Sequence, residues 1–272
     1  MTYFQSIILG IIQGATEFIP VSSSGHLVIA PFYLGWQIEP REAFVFDVLL
    51  QVATLLAVGI YFWEDLSRIG RAWLSSLINR KPWESTDAKI GWYLIIATIP
   101  AGIAGLLFKD TFENSFSNPN AAAAFLVGTG LMLLAAENFS ERHSELDDLS
   151  WIDSLWIGIF QVFALFPGVS RSGSTITGGM LRGLTRKSAA RFSFLMAVPV
   201  MLAAGTLALY DLFSMENYLN RLPVYLVGFA TAAVVGYLSI RWLLNYLSSN
   251  RLTVFAVYCL ILGLLTLGLQ IL

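Results

Sequence analysis

The sequence is poor in charge and in cysteine. Charged side chains make up 12% of its 272 residues, whereas a soluble domain carries about 25%. The single cysteine, Cys259, lies inside an apolar block, so no disulfide framework can form. A net charge of −2 offers no basic face to a nucleic acid. These shortages exclude a soluble globular enzyme and a nucleic-acid-binding protein.

Long apolar blocks are plentiful instead. The mean hydropathy is +0.69, and 56% of the residues are apolar. Six blocks of 19 to 22 residues match the roughly 20 residues with which an α-helix crosses about 30 Å of hydrocarbon. The sequence therefore predicts an all-α polytopic membrane protein with six complete spans: Phe44–Trp63, Ile90–Phe108, Pro119–Glu137, Phe192–Phe213, Pro223–Leu243 and Leu252–Leu272.

Two further apolar regions are interrupted by glycine, proline and serine. Phe4–Ile12 and Leu27–Trp36 are each half a bilayer long, and Trp151–Phe166 runs directly into Pro167 and Gly168. Non-helical backbone at membrane depth survives only where protein or a water-filled cavity supplies hydrogen-bond partners. Both regions are therefore predicted to be re-entrant helical hairpins that line a polar pocket.

The two interrupted regions resemble each other. When the chain is shifted by 148 residues, eight of seventeen positions in Gly10–His26 match Gly158–Ser174, where roughly one or two would match by chance. Each half then holds a hairpin and three spans. Because three is odd, the halves are predicted to form an inverted repeat. The first repeat covers 1–137 with its hairpin at 1–43, a linker covers 138–150, and the second repeat covers 151–272 with its hairpin at 151–191.

Positive charge is distributed unequally between the two sides of this topology. Twelve Lys and Arg residues fall on the side of the linker, and Arg41, Lys109 and Arg221 fall on the other. The positive-inside rule places the twelve, and therefore the linker, in the cytoplasm.

Few ionisable side chains lie within the predicted hairpins. Between Gln5 and Ile38 they are Glu17 and His26, and between Ser154 and Leu181 the one charged side chain is Arg171. Such groups are costly at membrane depth and usually serve a site. Both interruptions are rich in hydroxyl groups, and the turn from Pro167 to Thr175 combines glycines, an arginine and the start of a helix, which are features of an anion site. A buried pair of Glu17 and Arg171 that only fixes the packing is the alternative interpretation.

These residues resemble the motifs of a known family. Gln13 to Glu17, followed by Phe18 to His26, resembles the (E/Q)xxxE and serine-histidine motif of the undecaprenyl-diphosphate phosphatases, also called bacitracin-resistance proteins. Pro167 to Thr175 is similar to their PGxSRSxxT motif. The resemblance covers essentially the whole chain. Type-2 phosphatidic acid phosphatases are excluded, because their second catalytic histidine has no counterpart except His143, which lies in the linker.

The resemblance implies a phosphatase of the bacterial plasma (inner) membrane. It would remove the terminal phosphate of undecaprenyl diphosphate, which recycles the lipid carrier for cell-wall synthesis and confers bacitracin resistance. The implied partners are the polyprenyl diphosphate lipid and the bilayer, and a homodimer is one expected assembly. The implied catalytic residues are Glu17, Ser23, His26 and Arg171. The implied substrate-binding residues are Gln13, Ser22, Ser24, Gly25, Gly168, Ser170, Ser172, Gly173 and Thr175.

The chemistry that fits these residues is in-line phosphoryl transfer, in which positioning and charge neutralisation dominate. Our hypothesis makes Ser23 the nucleophile and His26 its acid–base partner, and the rival makes His26 the nucleophile. The family resemblance also implies Mg²⁺ or Ca²⁺, with Glu17 and Asp47 as candidate ligands. Position 13 is glutamine where many members have glutamate, which leaves one carboxylate in the motif.

A carrier that moves a polyprenyl phosphate across the bilayer is the competing function. Inverted repeats with broken helices are typical of transporters, and such a carrier needs the same anion pocket. The nucleophile separates the two functions, because only a phosphatase requires the chemistry of Ser23 and His26.

Overall fold

The computed structural model describes residues 1–108, 111, 118–213 and 218–269. Lys109 and the last three positions of the predicted span Leu252–Leu272 lie outside them. The described residues fold into eleven α-helices and one 3-10 turn at Leu146–Asp148. The helices are α1 Tyr3–Thr16, α2 Ser23–Tyr33, α3 Pro40–Tyr61, α4 Trp63–Ile78, α5 Thr86–Leu107, α6 Pro119–Phe139, α7 Trp151–Phe163, α8 Arg171–Leu181, α9 Arg186–Phe213, α10 Tyr218–Tyr246 and α11 Thr253–Leu269.

Four helical segments are long and apolar enough to cross a membrane by length and composition. They lie in α3, α5, α6 and α10. The helix α11, with 17 residues, is apolar but shorter, and α9 is not among the four. The fold class predicted from composition, an all-α polytopic membrane protein, is confirmed.

The two predicted interruptions are real breaks between short helices. The first separates α1 from α2 at residues 17–22, and the second separates α7 from α8 at residues 164–170. Serine side chains begin the second helix of each pair, because an Oγ accepts from an N–H of the first turn that no carbonyl of the helix can reach. The position of these hairpins within a bilayer stays a prediction.

Helices from the two halves of the chain pack against each other in matching pairs. The helix α1 packs on α10, and α7 packs on α5, while α3 contacts α9 and α6 contacts α11. A Cβ on Gly10 would lie 2.6 Å from the carbonyl oxygen of Gly228, and one on Gly158 would lie 2.5 Å from that of Ala97. Glycine is therefore required at both contacts. An inverted repeat would pair the helices in this way, and the division into repeats stays a prediction.

Ion pairs hold the two ends of the helix bundle. At the start of α3, the buried carboxylate of Glu42 accepts from the amino group of Met1 at 3.3 Å and pairs with Arg221. At the opposite end, Glu137 accepts from Arg142, Arg186 and the N–H of Leu252. These contacts therefore fasten α3 to α10 at one end of the bundle, and α6 to α9 and to the start of α11 at the other.

Candidate active site

The candidate site forms where the two helix breaks meet. Ser22 caps α2 and Ser170 caps α8, each by accepting from the backbone N–H three residues ahead, at 3.2 and 3.0 Å. Ser22 has a φ of +70°, a left-handed conformation that costs a non-glycine residue about 1–3 kcal/mol. Both half-helices thus begin at the site, where their free N–H groups favour an anion.

Glu17 is the centre of the polar network. It directly follows the last residue of α1, and its side chain is 6% exposed. Oε2 accepts from Gln13 Nε2 at 2.9 Å and from Ser23 Oγ at 2.5 Å. Oε1 accepts from Arg171 Nη2 at 2.7 Å. One carboxylate therefore connects the first residue of α2 with the first residue of α8.

The guanidinium group of Arg171 uses one of its two terminal nitrogens in the network. Its Nη2 donates to Glu17, whereas its buried Nη1 has no hydrogen-bond partner in the described part of the chain. A buried donor without a partner costs about 1–3 kcal/mol. The guanidinium is planar and matches phosphate oxygens well. Arg171 is thus anchored through Nη2, while Nη1 is a donor that the described residues leave unused.

The backbone between Pro167 and Arg171 packs tightly against α6. Gly168 has a φ of +95°, and a Cβ there would lie 2.0 Å from the carbonyl oxygen of Ala122. Thr129 Oγ1 donates to the carbonyl of Gly168 at 3.0 Å and accepts from the N–H of Ser170 at 3.0 Å. The N–H of Gly168 donates to Ser24 Oγ at 3.4 Å. This loop is therefore fixed to α6 and to the tip of the first hairpin.

His26 lies one turn into α2 and is held at both ring nitrogens. Nδ1 lies 2.7 Å from the carbonyl oxygen of Ser22, and Nε2 lies 2.7 Å from the hydroxyl of Tyr258 on α11. Because a carbonyl can only accept, Nδ1 carries the hydrogen in the first contact. The rings of His26 and Tyr258 are nearly parallel. The described residues show no hydrogen bond between His26 and Ser23.

The remaining hydroxyl groups secure α8. Ser172 Oγ contacts Ser170 Oγ at 3.1 Å and the carbonyl of Ile19 at 3.5 Å. Thr175 Oγ1 donates to the carbonyl of Arg171 at 2.7 Å and contacts Ser193 Oγ at 2.7 Å. These contacts are internal to the protein, so these side chains position the helix that carries Arg171.

Comparisons with known proteins identify the family. The model of the bacitracin resistance protein BacA matches residues 6–265. The chain belongs to the BacA family. An undecaprenyl-diphosphatase of Thermobifida fusca (strain YX) is 42% identical over 99% of this chain and 90% of that protein. A protein of the same name from Chlorobaculum tepidum is 43% identical over 97% of this chain and 95% of its own length. Another, from Thermomicrobium roseum, is 39% identical over 98% of both chains.

This member of the BacA family is a multi-pass bacterial membrane protein, because its relatives are bacterial and four of its helices are long and apolar enough to cross a membrane. The predicted site residues from both hairpins meet in the structure, since Glu17 contacts Gln13, Ser23 and Arg171. Their catalytic and binding roles stay predictions. Asp47 is the exception, because it lies half-buried on α3 and makes no hydrogen bond or ion pair with the described residues.

Sequence reasoning did not single out Tyr258 or Thr129. Tyr258 lies 232 residues after its partner His26, inside an apolar block that gives no sign of this contact. Thr129 is a buried hydroxyl between Gly128 and Gly130 in the middle of α6. The feature of the sequence that could have indicated Thr129 is a polar residue between two glycines inside a predicted span.

The residues of this BacA-family site do not fit a resident metal ion. Both oxygens of Glu17 are occupied by Arg171, Gln13 and Ser23. Within the described residues, no three His, Cys, Asp or Glu side chains come close enough to hold an ion together. Mg²⁺ is usually bound through one or two carboxylates together with substrate phosphates. A protein-held metal centre made of Glu17 and Asp47 therefore has no support in the geometry.

Proposed function

We propose that this protein hydrolyses undecaprenyl diphosphate to undecaprenyl phosphate and inorganic phosphate. Its relatives carry the name of that phosphatase. The single observation that carries the proposal is the position of Glu17 between a hydroxyl group and a guanidinium group, at 2.5 and 2.7 Å. Removal of the terminal phosphate would recycle the lipid carrier for cell-wall synthesis and give resistance to bacitracin.

The proposed nucleophile is Ser23. Its Oγ attacks the terminal phosphorus while its proton passes to Glu17 Oε2, which already accepts that hydrogen bond. The anhydride P–O bond breaks, and its electron pair leaves with the polyprenyl monophosphate. Once Glu17 has released this proton to solvent, its carboxylate deprotonates a water molecule that cleaves the serine–phosphate ester. The proton taken from water then passes from Glu17 to Ser23 Oγ, which restores the hydroxyl as phosphate leaves.

Arg171 and the helix starts are proposed to stabilise the transferring phosphoryl group. Catalysis of phosphoryl transfer relies mainly on positioning and on fixed positive charge near the equatorial oxygens. The unpaired Nη1 of Arg171 and the free N–H groups at the first turns of α2 and α8 are the donors available for this task.

His26 is proposed to supply a proton to the leaving group through the Tyr258 hydroxyl, which contacts Nε2 and holds it in place. The rival hypothesis, His26 as nucleophile, requires Nε2 to leave the Tyr258 hydroxyl before it can attack. Ser23, in contrast, already contacts a carboxylate that can take its proton. This difference favours Ser23.

The carrier function, the metal ion and the homodimer were the other expectations from the sequence. The carrier alternative finds no support in the relatives reported above, which are named for the phosphatase. We propose that Mg²⁺ or Ca²⁺, where either acts, is carried by the substrate's diphosphate with at most one protein carboxylate. A homodimer stays a proposal, to be tested by light scattering of the purified protein.

The test is release of terminal phosphate from labelled undecaprenyl diphosphate by the purified protein in detergent. We expect release by the wild type and by Ser67→Ala, which removes a half-buried hydroxyl on α4 outside the candidate site, and loss of release in Ser23→Ala. Rapid quenching is expected to trap label on the wild type but not on Ser23→Ala. A folded wild type that releases no phosphate would overturn the function. Acid-labile label that disappears in His26→Ala would assign the nucleophile to His26.

A further inference from the structure

A cavity with charged residues in its walls lies away from the candidate active site. Its volume is about 910 Å³, within the roughly 300–1,000 Å³ of small-molecule sites. It opens between the end of α3, the start of α4, the start of α9 and the end of α10. Phe62 lines it, and the ring of Phe194 lies between Phe62 and Phe18, the neighbour of Glu17. An aromatic layer therefore separates this cavity from the candidate active site.

The walls of the cavity carry excess positive charge. Lys187, Arg191 and Arg241 line it, together with one carboxylate, Asp65. Arg191 is neutralised, since its Nη2 donates to both oxygens of Asp65 at 2.7 and 2.6 Å. Lys187 and Arg241 form no ion pair with any described residue. Two cations thus face the cavity without a counter-charge, which suits a phosphate group.

An apolar track leads out of the cavity along α10. Leu238 lines the cavity, and Val234 lies one turn before it, with both side chains more than half exposed. Both residues belong to a segment long and apolar enough to cross the membrane. Trp242, half exposed at the cavity wall, is of the type that gathers at the level of lipid headgroups. Free phosphate would use the cations but would leave this track uncovered.

We infer that this cavity binds the headgroup of an anionic phospholipid, with an acyl chain along Val234 and Leu238. The cations lie on the side that the charge distribution assigns to the cytoplasm. Anionic lipids concentrate in that leaflet, and basic pockets between helices bind their headgroups. The inference concerns binding alone and does not rest on the proposed function.

The experiment measures retention of phosphatidylglycerol by the purified full-length protein, using native mass spectrometry after titration with the lipid in detergent. The double variant Lys187→Gln, Arg241→Gln is expected to lose about 30-fold in affinity, the equivalent of about 1 kcal/mol for each cation near the membrane surface. The control double variant Arg71→Gln, Arg80→Gln removes the same charge from exposed positions of α4 and its end, and is expected to bind as the wild type does.

Two comparison ligands separate the lipid from other sources of phosphate. Phosphatidylcholine has a phosphate but no net charge, and we expect it to bind at least tenfold more weakly. Glycerol phosphate has the headgroup chemistry without acyl chains, and we expect it not to displace the lipid at millimolar concentration. Unchanged retention by the cavity variant, equal binding of phosphatidylcholine, or displacement by glycerol phosphate would each overturn the inference.

Discussion

Replacing Glu17 by glutamine removes one charge from the centre of the network while keeping the length and shape of the side chain. At the 2.7 Å between Arg171 Nη2 and Glu17 Oε1, opposite unit charges attract by about 6 kcal/mol at an effective dielectric constant of about 20. Desolvation of both groups offsets much of this attraction, and breaking a buried pair costs about 3–5 kcal/mol in measured cases.

The expected loss lies at the lower end of that range. Gln13 Oε1 is buried without a partner in the described part of the chain, so rotation of the Gln13 amide allows it to accept from the new amide at position 17. We therefore expect the free energy of unfolding to fall by about 3 kcal/mol, mainly because Arg171 keeps its charge without a counter-charge. Ser23 also loses its proton acceptor, so phosphate release is expected to fall by about 10²–10⁴-fold.

Both quantities can be measured on one preparation. Chemical unfolding in mild detergent, followed by circular dichroism, gives the stability, and phosphate release from undecaprenyl diphosphate gives the activity. Glu64→Gln makes the same chemical change at an exposed position in the first turn of α4, and it should alter neither quantity. A folded Glu17→Gln protein that keeps more than a tenth of the wild-type rate would refute the role of Glu17 as proton acceptor.

Three further substitutions have distinct expected outcomes. Tyr258→Phe removes the hydrogen bond between the Tyr258 hydroxyl and His26 Nε2, worth about 1 kcal/mol. Phosphate release should drop at least about fivefold, and the free energy of unfolding should fall by about 1 kcal/mol; an unchanged rate would contradict this. Gly168→Ala places a Cβ against the Ala122 carbonyl and should lower the free energy of unfolding by more than about 3 kcal/mol. The control Gly35→Ala has open space around it and should cost only the positive-φ strain of about 1 kcal/mol. Equal losses in chemical unfolding would refute a steric clash at position 168. Glu137→Gln should lower the free energy of unfolding by about 2 kcal/mol in the same assay, because it weakens the charge-assisted hydrogen bonds of a buried carboxylate to two half-buried arginines, and a loss below about 1 kcal/mol would contradict that.

The apolar blocks predict which segments form helices but not where the helices begin. The predicted span Phe44–Trp63 starts four residues inside α3, which begins at Pro40 with Glu39 as its cap. The predicted span Phe192–Phe213 starts six residues inside α9, which begins at Arg186. Hydrophobicity marks only the part of a helix that suits hydrocarbon, whereas the helix continues through polar residues that satisfy its ends.

The residues of the site were predictable because ionisable groups are rare at membrane depth, but their partners were not. Sequence proximity suggested His26 as the partner of Ser23, whereas the Ser23 hydroxyl donates to Glu17 in the structure. The partner of His26 is Tyr258, on the last helix. Contacts between residues this far apart follow from how the helices pack, and one sequence read alone does not determine that packing.

Equivalent positions in the two hairpins carry chemically different side chains. Ser23 and Arg171, 148 residues apart, are each the first residue of a half-helix that begins at the site. Both donate to Glu17, whose own counterpart at the same spacing is Leu165. The backbone arrangement is therefore shared, whereas the carboxylate is present in one hairpin and the guanidinium in the other. Since the hydroxyl, its proton acceptor and the cation come together only where the hairpins meet, neither half of the chain can form this site alone.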